Sequence, residues 1–206
     1  MNVPIKLIKE FLTEAEARSM IDYVDHLEKT KPGRSRHGFD DPMMFIEFGK
    51  DVERPANVRD IEVDRHNARV LHGLDILDDQ PKADIINYFS KVIAEIQKVF
   101  NDSDALYVNE FRIAKYYSGG AIELHSDNDE GFSSHLRYSA IIYLNDMTKG
   151  GGKISFVDHG YTYCPQRGDL LVFPCLDGGY HEVTEIFETR YTIALWCTDN
   201  AALALY

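Results

Sequence analysis

Cysteine is scarce in this chain of 206 residues: Cys164, Cys175 and Cys197 are the whole supply. None of them has the Cys-x-x-Cys spacing of a zinc site or a redox dithiol. An odd and sparse count argues against a disulfide framework and for a reducing compartment, so the expected location is cytoplasmic. Long apolar runs are lacking as well, and no stretch approaches the roughly 20 residues that cross a bilayer. The opening Met1-Asn-Val-Pro-Ile-Lys has neither the apolar segment nor the cleavage-like site of a leader, and no membrane partner is expected. Positive charge is in deficit, with 22 Lys and Arg against 34 Asp and Glu for a net charge of −12. That balance disfavours nonspecific attraction to phosphate backbones and argues against nucleic acid as a partner. No repeat or low-complexity linker divides the chain. The expectation is a single domain over 1–206, with 1–104 supporting a core over 105–200.

What is present reads as two helices and many strands. Residues 3–11 alternate around Ile5, Leu7 and Phe11, as an opening strand does. Thr13 and Glu16 have the spacing of a capping box, and a helix is expected from there to about Leu27, with Ala17, Met20, Ile21, Val24 and Leu27 on its apolar face. Residues 29–41 mix Lys29, Lys31, Arg34, Arg36 and His37 with Pro32, Gly33 and Gly38, the composition of a polar loop. A strand is expected over 43–48, and an irregular or strand segment over 61–74. Residues 82–100 carry apolar side chains at i, i+3, i+4 and i+7 from Ile85 to Phe100, a strong amphipathic helix with Pro81 at its start. Strands are expected over 105–117, 138–144, 153–157, 170–174 and 191–196, with turns at Ser118-Gly119-Gly120, Gly150-Gly151-Gly152 and Gly168-Asp169.

The chemistry concentrates at His125-Ser126-Asp127, the one His-x-Asp in the sequence. On an extended segment, side chains at i and i+2 point the same way, so one imidazole and one carboxylate face a common point. His181 can add a third ligand. Two histidines and one carboxylate are the facial set that holds non-haem Fe(II) with three positions open. A keto acid can occupy two of those and dioxygen the third. The far carboxylate of such an acid needs a fixed cation, and Arg190, nine residues beyond His181, is available for bidentate pairing.

Several motifs occur together here. They are Tyr116 nine residues before His125, His125-x-Asp127, Tyr143-Leu144-Asn145-Asp146, Gly151-Gly152, Pro165-x-x-Gly168-Asp169-x-x-x-Phe173, His181-Glu182-Val183 and Arg190-Tyr191-x-Ile193-x-x-Trp196. In order and spacing this region of about eighty residues resembles the Fe(II)/2-oxoglutarate-dependent dioxygenase superfamily, and within it the prolyl 4-hydroxylase-like branch. Arg190 stands where collagen-type enzymes usually carry Lys, which is more similar to the oxygen-sensing protein prolyl hydroxylases.

The resemblance implies a mainly β fold with flanking helices, a double-stranded β-helix (distorted jelly roll) buttressed by two or more α-helices. It implies Fe(II) on His125, Asp127 and His181, with 2-oxoglutarate and O2 as co-substrates and an ascorbate requirement left open. Arg190 and Tyr143 are then expected on the distal carboxylate of 2-oxoglutarate, Tyr116 lining its pocket, and Arg137 near a substrate cleft. Trp196 matches a tryptophan that packs near the site. The implied reaction couples oxidative decarboxylation of 2-oxoglutarate to hydroxylation, most readily of a prolyl residue in a protein or peptide. Asp127 favours hydroxylation over halogenation, since halogenases of the superfamily lack that carboxylate. The 29–41 loop is a candidate substrate lid. Two other readings stay open: a hydroxylase of a free amino acid, another residue or a nucleobase, and a non-catalytic jelly-roll binding module.

Overall fold

The computed structural model describes residues 4–30, 68–71, 74, 77–128, 135–176 and 179–205. The expected loop over 29–41, from residue 31 onward, and the expected strand over 43–48 lie outside the described residues.

Strand β1 (Lys6–Ile8) opens the described chain. It is shorter than the alternation over 3–11 suggests, because Glu10 turns the backbone at φ 53° and the Glu10 N–H donates to Asp169 Oδ1 at 3.1 Å. Helix α1 (Glu14–Thr30) follows. Its start is the expected box: the Thr13 N–H donates to Glu16 Oε2 at 2.8 Å, and the Glu16 N–H donates to Thr13 Oγ1 at 3.2 Å. Ala17, Met20, Val24 and Leu27 are buried, and the helix continues past Leu27 to Thr30.

Thr13→Ala is expected to cost about 1 kcal/mol, read as a lower urea midpoint. Hydrogen bonds from Thr13 hold the Glu16 carboxyl below its ordinary 4.5. A group whose folded pKa is depressed contributes fully above the unfolded value and loses that contribution as pH falls. The gap between variant and wild type is therefore widest near neutrality and narrows below pH 4.5.

Strand β2 (Ala68–Leu71) precedes helix α2 (Asp79–Phe100), which ends at Asn101 in the left-handed region. The remaining strands are β3 (Tyr107–Tyr116), β4 (Ile122–His125), β5 (Leu136–Tyr143), β6 (Ile154–Phe156), β7 (Tyr161–Tyr163), β8 (Leu170–Pro174), β9 (His181–Val183) and β10 (Arg190–Thr198). They form two antiparallel sheets, a six-stranded one ordered β1-β8-β5-β10-β3-β2 and a four-stranded one ordered β4-β9-β6-β7. This is the jelly roll with two supporting helices that the sequence leads one to expect. β7 is an addition, since three residues carry no readable period.

The large sheet has two faces with different duties. One packs Phe111, Ile113, Ile142, Ile193 and Leu195 against the apolar faces of α1 and α2. The other faces the small sheet across Tyr143, Phe156, Phe173, Val183 and Ile186. Alternation along each strand makes the division. On β3, Lys115 reaches Asp25 and Glu28 of α1 at 2.7 and 2.6 Å, and on β10 the Tyr191 hydroxyl donates to Asp25 at 2.8 Å. Their neighbours Tyr116 and Arg190 point to the opposite face.

Candidate metal and co-substrate site

β4 and β9 pair so that His125 lies directly opposite His181, which brings the two ring centroids to 4.3 Å. Asp127 sits two residues past His125, with Oδ1 3.5 Å from His125 Nε2. One ligand atom from each of His125, Asp127 and His181 lies within 4.8 Å of the others, a spread that a single cation can bridge. Both imidazoles are held from behind. His125 Nδ1 is 2.8 Å from the Glu123 carbonyl and His181 Nδ1 is 2.7 Å from the Gly179 carbonyl. A carbonyl only accepts, so each Nδ1 carries the hydrogen and each Nε2 presents its lone pair to the cluster.

Electrostatics favour the same protonation states. Burial pushes His181 below its ordinary 6.5, toward the neutral form a cation needs. Burial by itself raises Asp127, but hydrogen bonding to His125, the nearby His181 and the Ser139 hydroxyl outweigh it and bring the carboxyl to about 2. His181 is 4% exposed, walled by Phe173 and Phe156 at ring distances of 4.9 and 5.5 Å. The loop that carries Asp127 is stapled at both ends: Ser126 Oγ donates to the Cys175 carbonyl at 2.9 Å, and the Asn128 amide donates to the Leu136 carbonyl at 2.8 Å.

A second centre lies on β10 and its neighbours. Arg190 is only 2% exposed, with its guanidinium 5.1 Å from the Tyr116 ring and 5.4 Å from the Tyr143 ring. No carboxylate pairs with it among the described residues, and its Nε has no hydrogen-bond partner. The Tyr143 hydroxyl is buried and unpartnered too, and burial pushes its pKa up to about 12, so it stays a donor. A buried cation beside an idle donor is costly unless an anion completes it. Gly152 makes room for this arrangement: at φ +67° it favours glycine, and a Cβ there would stand 3.0 Å from Met147 Cε and 3.4 Å from Arg190 Cδ.

The structure thus brings His125, Asp127 and His181 together, and Arg190, Tyr143 and Tyr116 together. Tyr117, the neighbour of Tyr116, turns the other way and bonds Glu28. The guanidinium of Arg137, expected near a substrate cleft, pairs with Asp102, Asp104 and Asp199 at 2.8, 2.9 and 3.3 Å. The end of β5 meets the loop after α2 and the segment after β10 there, and three carboxylates neutralise it. Trp196 lies beneath the Arg112 guanidinium at 4.8 Å and pairs in register with Ser139. Ser139 itself was missed, although a lone hydroxyl in the apolar run of β5, an even number of residues from Tyr143, marks the same face of the strand.

Fold and site together define a jelly-roll protein with a two-histidine, one-carboxylate cluster and a buried cation behind it. Residues 111–198 match the family model of the 2OG-Fe(II) oxygenase superfamily. Iron and 2-oxoglutarate are the cofactor and co-substrate that go with the superfamily. No curated protein matches the sequence.

Solved structures share the fold at low identity. A prolyl hydroxylase from Trichoplax adhaerens, in complex with a hypoxia inducible factor oxygen degradation domain peptide, is 19% identical with a TM-score of 0.67, covering 96% of this chain and 84% of that one. A prolyl-4-hydroxylase from Pseudomonas putida is 16% identical with a TM-score of 0.62, covering 97% and 95%. The viral collagen prolyl hydroxylase of Paramecium Bursaria Chlorella virus-1, in its 2OG complex, is 12% identical with a TM-score of 0.61, covering 96% of each chain.

Proposed function

We propose that the chain is an Fe(II)/2-oxoglutarate-dependent dioxygenase that hydroxylates a prolyl residue in a protein or peptide. The observation that carries this reading is the pair of unmet buried donors, Arg190 Nε and the Tyr143 hydroxyl, in the same domain as a three-ligand cluster. That combination suits a small dicarboxylate whose one end meets a metal and whose other end needs a fixed cation.

His125, Asp127 and His181 would hold Fe(II). When bound there, the metal supplies the chemistry that couples oxidative decarboxylation of 2-oxoglutarate, with O2, to hydroxylation of a C–H bond. The chain's own residues do the rest. Arg190 offers two parallel N–H donors to the distal carboxylate, and Tyr143 adds an O–H. Tyr116 packs against the guanidinium. The carbonyls of Glu123 and Gly179 keep both imidazoles in the ligating tautomer. Phe156 and Phe173 shield the His181 side from water.

The prolyl substrate is supported by the three structural neighbours named above, each a prolyl hydroxylase. Arg190 in place of lysine favours a protein substrate other than collagen. The test is incubation with Fe(II), 2-oxoglutarate, O2 and a panel of proline-containing peptides, reading succinate release and the gain of one oxygen in peptide mass. Succinate with no peptide product would retain the cofactor reading and redirect the search to free amino acids, other residues or nucleobases. Absence of both would favour a non-catalytic binding module.

A further inference from the structure

We infer that Ser139 is a positioning residue for Asp127, fixing which carboxylate oxygen faces the metal and so keeping that ligand monodentate. The inference deepens the reading of His125, Asp127 and His181 as a metal site and rests on it.

The geometry divides the carboxylate into two halves with different partners. Ser139 Oγ donates to Oδ2 of Asp127 at 2.6 Å. Oδ1 is the oxygen turned toward His125 Nε2, at 3.5 Å. Ser139 is 2% exposed on β5, so its hydroxyl has no water to turn to and little freedom to let go. The polarity of the bond is set by chemistry, because an ionised carboxylate only accepts and the serine must donate. The serine's own acceptor capacity then faces Cys175, whose Sγ lies 3.1 Å away. A thiol hydrogen can fill it, giving a one-way chain from Cys175 S–H to Ser139 O–H to Asp127 Oδ2. The peptide carbonyl of Cys175 is engaged in turn by Ser126 Oγ, which ties both ends of the chain to the segment carrying the ligands.

The consequence is a coordination number. A carboxylate with both oxygens free can chelate a cation and occupy two of its positions, whereas one with Oδ2 engaged has a single oxygen to give. Two imidazoles and one oxygen then leave three positions, the number that a chelating keto acid and a third ligand need. Ser139 acts through Asp127 and touches no co-substrate in this account.

The experiment compares Ser139→Val with Ser139→Thr, two replacements of equal size that differ in the hydroxyl, using Co(II) as the probe on the full chain. Ser139→Val is expected to weaken Co(II) binding by roughly 10- to 100-fold, the usual effect of losing a group that orients a ligand. It is also expected to change the visible ligand-field bands of the bound ion, while Ser139→Thr retains wild-type affinity and spectrum. Ser139→Ala gives a second hydroxyl-free variant if the added methyl group prevents Val and Thr from folding. Equal affinities and spectra for the variants with and without the hydroxyl would overturn the role of Ser139 alone. Wild type binding Co(II) no better than Asp127→Ala would overturn it together with the metal-site reading beneath it.

Discussion

Asp127→Asn yields a folded protein that binds divalent metal weakly and releases no succinate. The substitution keeps the shape of the side chain and an oxygen for Ser139, so the bond that ties the ligand loop to β5 has a partner and the apo fold is spared. What it removes is the anionic ligand. Sharing the ~10–16 kcal/mol of a four-ligand structural zinc site among its ligands suggests ~3 kcal/mol for each, or roughly 100- to 1000-fold in Kd. Asp127→Ala would lose the metal as well and would also leave the buried Ser139 hydroxyl without its acceptor, at a further cost of about 1–3 kcal/mol in stability. Isothermal titration with Fe(II) under anaerobic conditions and urea unfolding of the apo forms separate the two effects. Retained metal affinity in Asp127→Asn would remove this residue from the ligand set.

Arg190→Met is expected to produce opposite changes in two measurements. The apparent affinity for 2-oxoglutarate should fall by ~100-fold or more, since two charge-assisted hydrogen bonds at about 1.5–3 kcal/mol each are lost. The apo protein should be as stable as wild type or more so. In the apo state the guanidinium is buried with no carboxylate beside it among the described residues, and replacing an uncompensated charge with an apolar chain of similar length relieves that burial. Thermal melts with and without 2-oxoglutarate show both at once. Wild type gains about 2.7 kcal/mol at a hundredfold excess over Kd, and the variant gains little. A variant that loses stability without losing affinity would show that Arg190 is structural and that the carboxylate binds to another cation.

The elements that were legible in the sequence share a property: each has a long run with one period, or a cap. α2 shows an unbroken i, i+3, i+4 pattern, α1 announces itself with Thr13 and Glu16, and β8 is a five-residue apolar run that begins right after the Gly168-Asp169 turn. β7 and β9 have three residues each, too few for any period to emerge, and they are strands because neighbours pair with them. His125 and Asp127 could be placed on one side by alternation alone, and His181 could be nominated by type. That it stands directly across from His125 is a fact of register between segments more than fifty residues apart. Alternation also separates Tyr116 from Tyr117 once one of them is anchored, and it offered Ser139, which was overlooked. The ion pairs of Arg137 were not legible, because its three aspartates come from two remote segments that no local pattern connects to it. That no carboxylate among the described residues pairs with Arg190 is invisible in any sequence, since it concerns what the fold fails to bring near.

The double duty of β3 and β10 has a cost in evolvability. Along each strand the site and the helix anchor are adjacent residues, Tyr116 next to Lys115 and Arg190 next to Tyr191, and the register between the strands pairs Arg190 with Tyr116 and Tyr191 with Lys115. A single inserted or deleted residue near the start of β10 would turn the phenol inward and drive the guanidinium toward α1. It would forfeit the co-substrate cradle and the Asp25 anchor in one event. Point substitutions can explore each face separately, but length changes cannot, so insertions and deletions are expected in the segments that flank these strands and hardly at all within them.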